Sequence, residues 1–287
     1  VRHVLCDLCG ADDSAVIART GRLRLPVRTV ICRRCGLVYT DPVLELEDYS
    51  PEDAEKVRRL RRPAARPSEK YLAKNQRRAD GALAILEPIL CPGMRALDVG
   101  CAAGTLLAAL RERGCEVTGV EPEPAFAAYS RDERGLRVHE CLLEEADLPP
   151  GTFHLVTLSH VLEHADSPRA FIGRLRELLA DGGWLFIEVP NVLEPRCSSR
   201  RIFHVAHKTS FTPTTLRRMV ERAGFRIEAT RLLNGPGTVQ MLAEKAEASH
   251  ETGTPEDWRA VVRRLRRHRY MYYVSGMFIR RKLGAET

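Results

Sequence analysis

The stretch Arg95-Ala-Leu-Asp-Val-Gly-Cys-Ala-Ala-Gly104, running on into Thr105-Leu-Leu-Ala-Ala-Leu-Arg-Glu-Arg113, constrains this chain more than any other. A short apolar run ends in an acid, a glycine turn follows, and helical spacing then takes over. That order spells a strand, a tight loop and a helix. Gly100 and Gly104 let the backbone turn sharply and come close to a ligand with no side chain between. The helix start beyond the loop offers N–H groups that have no partner inside the helix. Downstream, Cys115-Glu-Val-Thr-Gly-Val-Glu121 reads as a second strand ending in an acid. An acid about 20 residues past such a loop is placed to take both hydroxyls of a ribose.

Two ligand classes compete for this layout. The nicotinamide fingerprint is G-x-G-x-x-G, and a loop written Gly100-x-x-x-Gly104 fits it poorly. The loop resembles instead the first motif of class I S-adenosylmethionine (SAM) methyltransferases, apolar-Asp-x-Gly-Cys-Gly-x-Gly, with Ala102 in place of the middle glycine. Phe153-His-Leu-Val-Thr-Leu158 and Gly182-Gly-Trp-Leu-Phe-Ile-Glu-Val-Pro-Asn191 resemble the fourth and fifth strands of the same fold. The likeness covers about residues 71–245. It implies an α/β, Rossmann-like, doubly wound fold with a mostly parallel seven-stranded sheet. It also implies SAM as cofactor, held by Asp98, Gly100, Cys101, Gly104 and Glu121, with Ser159 beside it. The family's adenine contacts fall within Cys141-Leu-Leu-Glu-Glu-Ala-Asp-Leu-Pro149, which makes Leu143 and Glu144 candidates. A surface loop with two solvated acids is the plainer reading of that stretch. Strand four starts Phe153-His154 where the family usually has Phe-Asp.

Cys6-Asp-Leu-Cys9 and Cys32-Arg-Arg-Cys35 are two C-x2-C knuckles separated by 22 residues, each followed by a glycine. Four thiolates close a tetrahedral zinc site, and a closed site is structural because no position is left for substrate. Four unrelated reduced cysteines are the alternative. Ala15-Val-Ile-Ala18 and Val27-Arg-Thr-Val-Ile31 read as short ribbon strands between the knuckles. A ribbon this small has too little core to fold unaided, so bound metal would supply the folding energy. The expected division is a zinc ribbon over 1–40, a basic connector over 41–67, the SAM-dependent methyltransferase domain over 68–245 and a helical tail over 246–287.

Within 287 residues, 45 basic side chains against 38 acidic ones give a formal charge of +7. That excess permits an anionic partner, such as a nucleotide-linked substrate, RNA or a membrane surface, and demands none. No apolar run approaches the ~20 residues of a membrane span, and no signal-peptide pattern precedes the first knuckle. Both point to the cytoplasm, where nine cysteines read as thiols and metal ligands. In the connector, Lys56-Val-Arg-Arg-Leu-Arg-Arg62 either meets phosphates or is a solvated helix face. The tail carries Arg263, Arg264, Arg266, Arg267 and Arg269, then Tyr270-Met-Tyr-Tyr-Val274. It either rests on a membrane or anionic partner or packs as a terminal helix on its own chain.

Methyl transfer needs an acceptor atom held in line about 3 Å from the methyl and, for a hydroxyl, a group to take its proton. Such groups belong at the carboxyl ends of strands four and five. Ser159-His-Val-Leu-Glu-His164 sits there, and a helical turn would place His160, Glu163 and His164 on one face. Three readings stand. His164 is a general base oriented by Glu163; or the pair only organises the pocket floor; or His160, Glu163, His164 and a loop histidine, His204 or His207, grip a divalent metal. Small-RNA 2′-O-methyltransferases, a branch of the resembled family, use a Glu-x-x-Glu-His set for such a metal, and here His160 replaces the first Glu. Phe203-His-Val-Ala-His-Lys-Thr-Ser-Phe211 resembles the family's histidine-bearing substrate loop, with His207 the better match and a structural histidine the alternative.

The expected function is SAM-dependent methylation of a small polar hydroxylated acceptor. An N-terminal four-cysteine ribbon on this domain resembles a group containing sugar methyltransferases of antibiotic and cell-surface pathways. Only about 40 residues follow Lys245 where the sugar C-methyltransferases have a large C-terminal domain, which favours O-methylation or a smaller acceptor and leaves C-methylation as the alternative. The alternatives are an RNA methyltransferase using ribbon and arginines as its nucleic-acid footprint, and a non-catalytic SAM-binding scaffold. Against RNA stand the absence of an Asn/Asp-Pro-Pro-aromatic motif and of a Pro-Cys nucleophile, since Cys197 follows Arg196.

Overall fold

The computed structural model describes residues 1–60, 66–194, 202–233, 237–247 and 253–274. Arg61, Arg62, Pro63, Arg196, Cys197 and 275–287 lie outside the described residues, as do the side chains of Tyr272 and Tyr273.

The first strands are β1 (Ser14–Thr20), β2 (Pro26–Cys32) and β3 (Val38–Thr40), an antiparallel ribbon between and after the cysteine knuckles. Two helices follow, α1 (Pro51–Leu60) and α2 (Glu69–Leu86). The Ser68 hydroxyl accepts from Tyr71 N–H at 3.2 Å and so caps α2 as its sequence implies. Then β4 (Arg95–Val99), α3 (Thr105–Arg111), β5 (Glu116–Val120), α4 (Pro124–Asp132) and β6 (Val138–His139) alternate. They continue with β7 (Phe153–Ser159), α5 (Pro168–Leu178) and β8 (Leu179–Pro190). The two-residue β9 (Thr209–Ser210), α6 (Pro213–Arg222), β10 (Phe225–Leu233), β11 (Thr238–Lys245) and α7 (Trp258–Val274) complete the order.

Seven strands form one sheet in the order β10-β11-β8-β7-β4-β5-β6. Neighbours run parallel except β11, which is antiparallel to both β8 and β10. The central strands carry near-continuous buried apolar runs (Leu97 and Val99, Leu155 to Leu158, Leu185 to Val189), as a sheet covered on both faces requires. The chain winds outward from β4 to β6, then returns to β7 on the other side of β4. A crevice opens at such a reversal, outside the carboxyl ends of the strands.

β9 joins a different sheet. It pairs with β3, Val38 opposite Ser210 and Tyr39 opposite Thr209, and becomes the fourth strand of the ribbon. The segment 192–211 reads as a loop in the sequence, and most of its described part does run without strands. Its end is tied to the ribbon because Phe211, fully buried, shares a core with Leu37 and Tyr39 on one side and Leu158 and Val189 on the other. The terminal helix α7 packs Val261, Val262 and Leu265 on Ile31, Val38 and Phe203, the intramolecular alternative of the two that its sequence offers. Among the described residues no helix is long and apolar enough to cross a membrane.

Between β4 and α3 the loop needs the left-handed region three times: Gly100 at φ 70°, Ala102 at φ 48° and Gly104 at φ 67°. A Cβ on Gly100 would lie 2.4 Å from Val161 Cγ2, so that position tolerates only glycine. Ala102 holds a conformation that a Cβ makes unfavourable by roughly 1–2 kcal/mol, and the gain in unfolded-chain entropy from glycine offsets part of that. Ala102→Gly is therefore expected to stabilise the chain by about 0.5–1 kcal/mol, read as a higher urea midpoint at unchanged slope.

Candidate functional site

At the carboxyl ends of β4, β5 and β7 lies a cavity of about 920 Å³. Helix α2 contributes Tyr71, Asn75 and Arg78 to its wall, and the glycine loop contributes Gly100 to Ala103. Tyr71 stacks on Phe126 of α4 with ring centroids 5.0 Å apart, and both rings line the cavity.

Glu121, at the end of β5, is buried with its two oxygens engaged separately. Oε2 accepts from Ala102 N–H and Oε1 from Glu123 N–H, each at 2.8 Å. Burial raises its pKa, and those two amides work against the rise. Each carboxylate oxygen retains a further lone pair for a ligand hydroxyl. Asp98, 4% exposed at the end of β4, accepts from the Thr157 hydroxyl at 2.7 Å. Burial pushes its pKa up to about 7, helped by the nearby Glu121 charge. Burial also raises the Cys101 thiol. Leu143 and Glu144 line the same cavity, as does Ser159. Gly104 is not among the lining residues. It starts α3, where a Cβ would meet Leu136 Cδ1 at 2.5 Å, so its lack of a side chain serves packing.

At the other end of the cavity stand His160, His164, Asp166, Phe171 and Lys208. The sequence predicts one helical face for His160, Glu163 and His164. Instead His160 takes φ 58° and only Leu162–His164 form a single 3-10 turn, so the two histidines go to different partners. His160 Nδ1 is 3.3 Å from Glu163 Oε1 and its Nε2 is 3.2 Å from Glu188 Oε1. Burial would lower the His160 pKa, and the two carboxylates outweigh it and raise it. Glu188 in turn accepts from Gln240 Nε2 at 2.6 Å. Glu163 is 1% exposed and does not line the cavity. Burial would raise its pKa, but His160, with His164 and His207 beyond, holds it below the usual value.

His164 is exposed, and its Nδ1 lies 2.8 Å from the Ala206 carbonyl. A carbonyl only accepts, so Nδ1 carries the proton and Nε2 is the free nitrogen of the neutral ring. The His207 ring packs edge-on to His164 with centroids 4.9 Å apart, and His204 is 5.4 Å beyond. Burial lowers the pKa of both His204 and His207 to about 4. The ligating atoms of Glu163, His164 and His207 all lie within 4.8 Å of one another, a set without His160.

The four knuckle cysteines also converge, with Cys6 Sγ 3.4 Å from Cys35 Sγ and Cys9 Sγ 3.6 Å from Cys32 Sγ. None of the four lines the large cavity. Sequence reasoning missed Arg78, Glu188 and Lys208. Tyr71, Asn75 and Arg78 recur at one helical face of α2, and Glu188 is a lone acid in an apolar strand, which were the available signals.

Residues 68–230 match the family described as "Methyltransferase domain". The chain is 36% identical over 105 residues to the ubiquinone biosynthesis O-methyltransferase of Idiomarina loihiensis, a stretch covering 34% of this chain and 43% of that protein. It is 34% identical over 113 residues to the protein of that name from Xanthomonas campestris pv. campestris, covering 36% and 46%. The chain thus spans less than half the length of these relatives. Among solved structures, the Burkholderia thailandensis 1,6-didemethyltoxoflavin-N1-methyltransferase shares the fold, with a TM-score of 0.54 and 20% identity over 82% of this chain and all of that one. The cyclase SpnF shares it too, with a TM-score of 0.52 and 16% identity over 60% of this chain and 81% of that one. With its family match running from α2 to β10 and its strand order reversing at the cavity, this chain belongs to the methyltransferase-domain family.

Proposed function

We propose that the chain is a SAM-dependent O-methyltransferase for a small polar hydroxylated acceptor, such as a sugar or natural-product intermediate, nucleotide-linked ones included. The division into ribbon 1–40, connector 41–67, catalytic domain 68–245 and tail 246–287 belongs to the same reading. None of the eight described cysteines forms a disulfide, which fits a cytoplasmic setting.

The residues present fit SAM. Glu121 offers lone pairs to the ribose hydroxyls, and Leu143 and Glu144, which line the same cavity, would take the adenine. Arg78 brings a guanidinium to the wall for the cofactor's carboxylate, and Asp98 brings a carboxylate for its ammonium. SAM supplies a methyl group already activated by its sulfonium. Removing the Glu121 carboxylate deletes a charge-assisted pair of hydrogen bonds. Glu121→Ala should weaken SAM binding by about 2–4 kcal/mol in calorimetry, and unchanged affinity would remove the cofactor assignment.

The observation that carries the catalytic reading is the Ala206 carbonyl on His164 Nδ1. It leaves Nε2 to take the acceptor's hydroxyl proton as oxygen bonds to the methyl and the methyl leaves sulfur. The ionised Glu163 beneath stabilises the imidazolium that results, and the low pKa of His207 keeps that neighbour uncharged. A positioned base contributes about 10²–10⁴-fold, so His164→Ala should lose that factor in turnover with SAM affinity intact. The close approach of Glu163, His164 and His207 also supports a second reading, a divalent cation gripping the acceptor. Chelator would then abolish turnover and added cation restore it, whereas a base alone survives chelation.

We further propose one structural zinc on Cys6, Cys9, Cys32 and Cys35. Tetrahedral Zn–S bonds of ~2.3 Å put sulfurs about 3.8 Å apart, and the observed spacings of 3.4 and 3.6 Å are close to that. Elemental analysis of protein purified without chelator should find one zinc per chain, and a metal-free result would overturn the assignment.

A further inference from the structure

A second cavity of about 610 Å³ lies between β1 and α7, sharing no residue with the cofactor cleft. Its size falls within the range of small-molecule sites. Val16 and Ile17 of β1, Phe203 of the histidine loop, and Val262 and Leu265 of α7 give it apolar walls. Three arginines, Arg19, Arg266 and Arg269, also line it, and no acidic side chain does. Elsewhere on the same helix three arginines are occupied: Arg263 pairs with Asp257, Arg264 with Glu194, and Arg259 covers the Trp258 ring, while Arg267 is exposed and does not line the cavity. Among the described residues, Arg19, Arg266 and Arg269 have no such partner. Beside them Tyr270 is 67% and Met271 46% exposed.

Unpaired guanidinium groups around an apolar recess call for a ligand with a negative head and a hydrocarbon body. Inorganic phosphate would satisfy the arginines and leave the recess wet. Nucleic acid wants open aromatic platforms between the cations, whereas of the two aromatic rings in these walls Phe203 is buried and Trp258 is covered by Arg259, and the rest of the apolar wall is aliphatic. The apolar side of α7 is packed on its own chain, so what the helix leaves to a bilayer is this recess and its arginine rim.

We propose that this face docks on an anionic lipid bilayer, with an acyl chain of one lipid entering the cavity and its phosphate meeting Arg19, Arg266 and Arg269. The Phe203 carbonyl accepts from Arg22 N–H at 2.9 Å, and His204 is the next residue, so the docking face and the histidine loop share a wall. The inference stands on the second cavity and does not depend on which acceptor is methylated.

The test is co-sedimentation of the full chain with phosphatidylcholine vesicles, with and without phosphatidylglycerol. Binding should require phosphatidylglycerol, and Arg266→Ala with Arg269→Ala should weaken it about 30-fold, from the usual contribution of an arginine near an anionic leaflet. Val16→Asp, which puts a carboxylate at the recess, should weaken it comparably. Arg263→Ala with Arg267→Ala is the control, and an equal loss there would mean generic charge attraction and overturn the site. Full binding by Val16→Asp, or tighter binding to single-stranded RNA than to the vesicles, would overturn it as well. Unchanged S-adenosylhomocysteine affinity in each variant shows that the fold is kept.

Discussion

The Glu121 carboxylate is the tie on which the cleft depends. One oxygen holds Ala102 N–H in the loop after β4 and the other holds Glu123 N–H in the turn after β5. Those two segments flank one side of the sheet's reversal, where backbone amides would otherwise be left without partners at the edge of a cavity. A charged acceptor makes stronger hydrogen bonds than a neutral one, and here it fixes a loop that already bears an alanine at positive φ. The acid that the sequence assigns to a ribose is thus also part of the loop's own construction. Any ligand hydroxyl it takes is added to bonds already made.

A different charge arrangement governs the other end of the cleft. Glu163 and Glu188 are both buried, and His160 stands between them at 3.3 and 3.2 Å. Two buried carboxylates without a counter-charge would not both stay ionised. A histidine between them favours their charged forms as they favour its own, which is why its pKa rises despite burial. His164 is thereby left to the cleft and to the Ala206 carbonyl. The fold alone does not decide this chemistry, since a cyclase shares it.

The features legible in the sequence are those set by near neighbours. The strand, glycine loop and helix over 95–113, the acid closing β5, and the capping serine at Ser68 each follow from residues a few positions apart. The pairing of β9 with β3 was not legible, because two residues carry no periodicity and the partner lies about 170 positions away in the chain. The divergence of His160 from His164 was hidden for a related reason. A helical spacing rule presumes helical φ, and His160 adopts a left-handed φ of 58° that a histidine seldom takes. The cleft also draws on polar positions of α2, Asn75 and Arg78 among them, which no apolar periodicity marks.

That β3–β9 pairing gives the four-cysteine ribbon a second place in the molecule. Thr40 N–H donates to the Lys208 carbonyl at 2.8 Å and Arg22 N–H to that of Phe203, so the ribbon holds both ends of the segment carrying His204 and His207. From its other side, Asp7, between the first two cysteines, accepts from Arg169 N–H at 2.7 Å and from the Ser167 hydroxyl at 2.8 Å at the start of α5. No ribbon residue lines the large cavity, yet two of the segments that do line it are positioned by ribbon backbone and ribbon acid. The zinc proposed for those four thiolates would make the ribbon rigid and leave no position for substrate. Rigidity is what a histidine loop lacking strands of its own needs, and the ribbon's place in the molecule is to lend it.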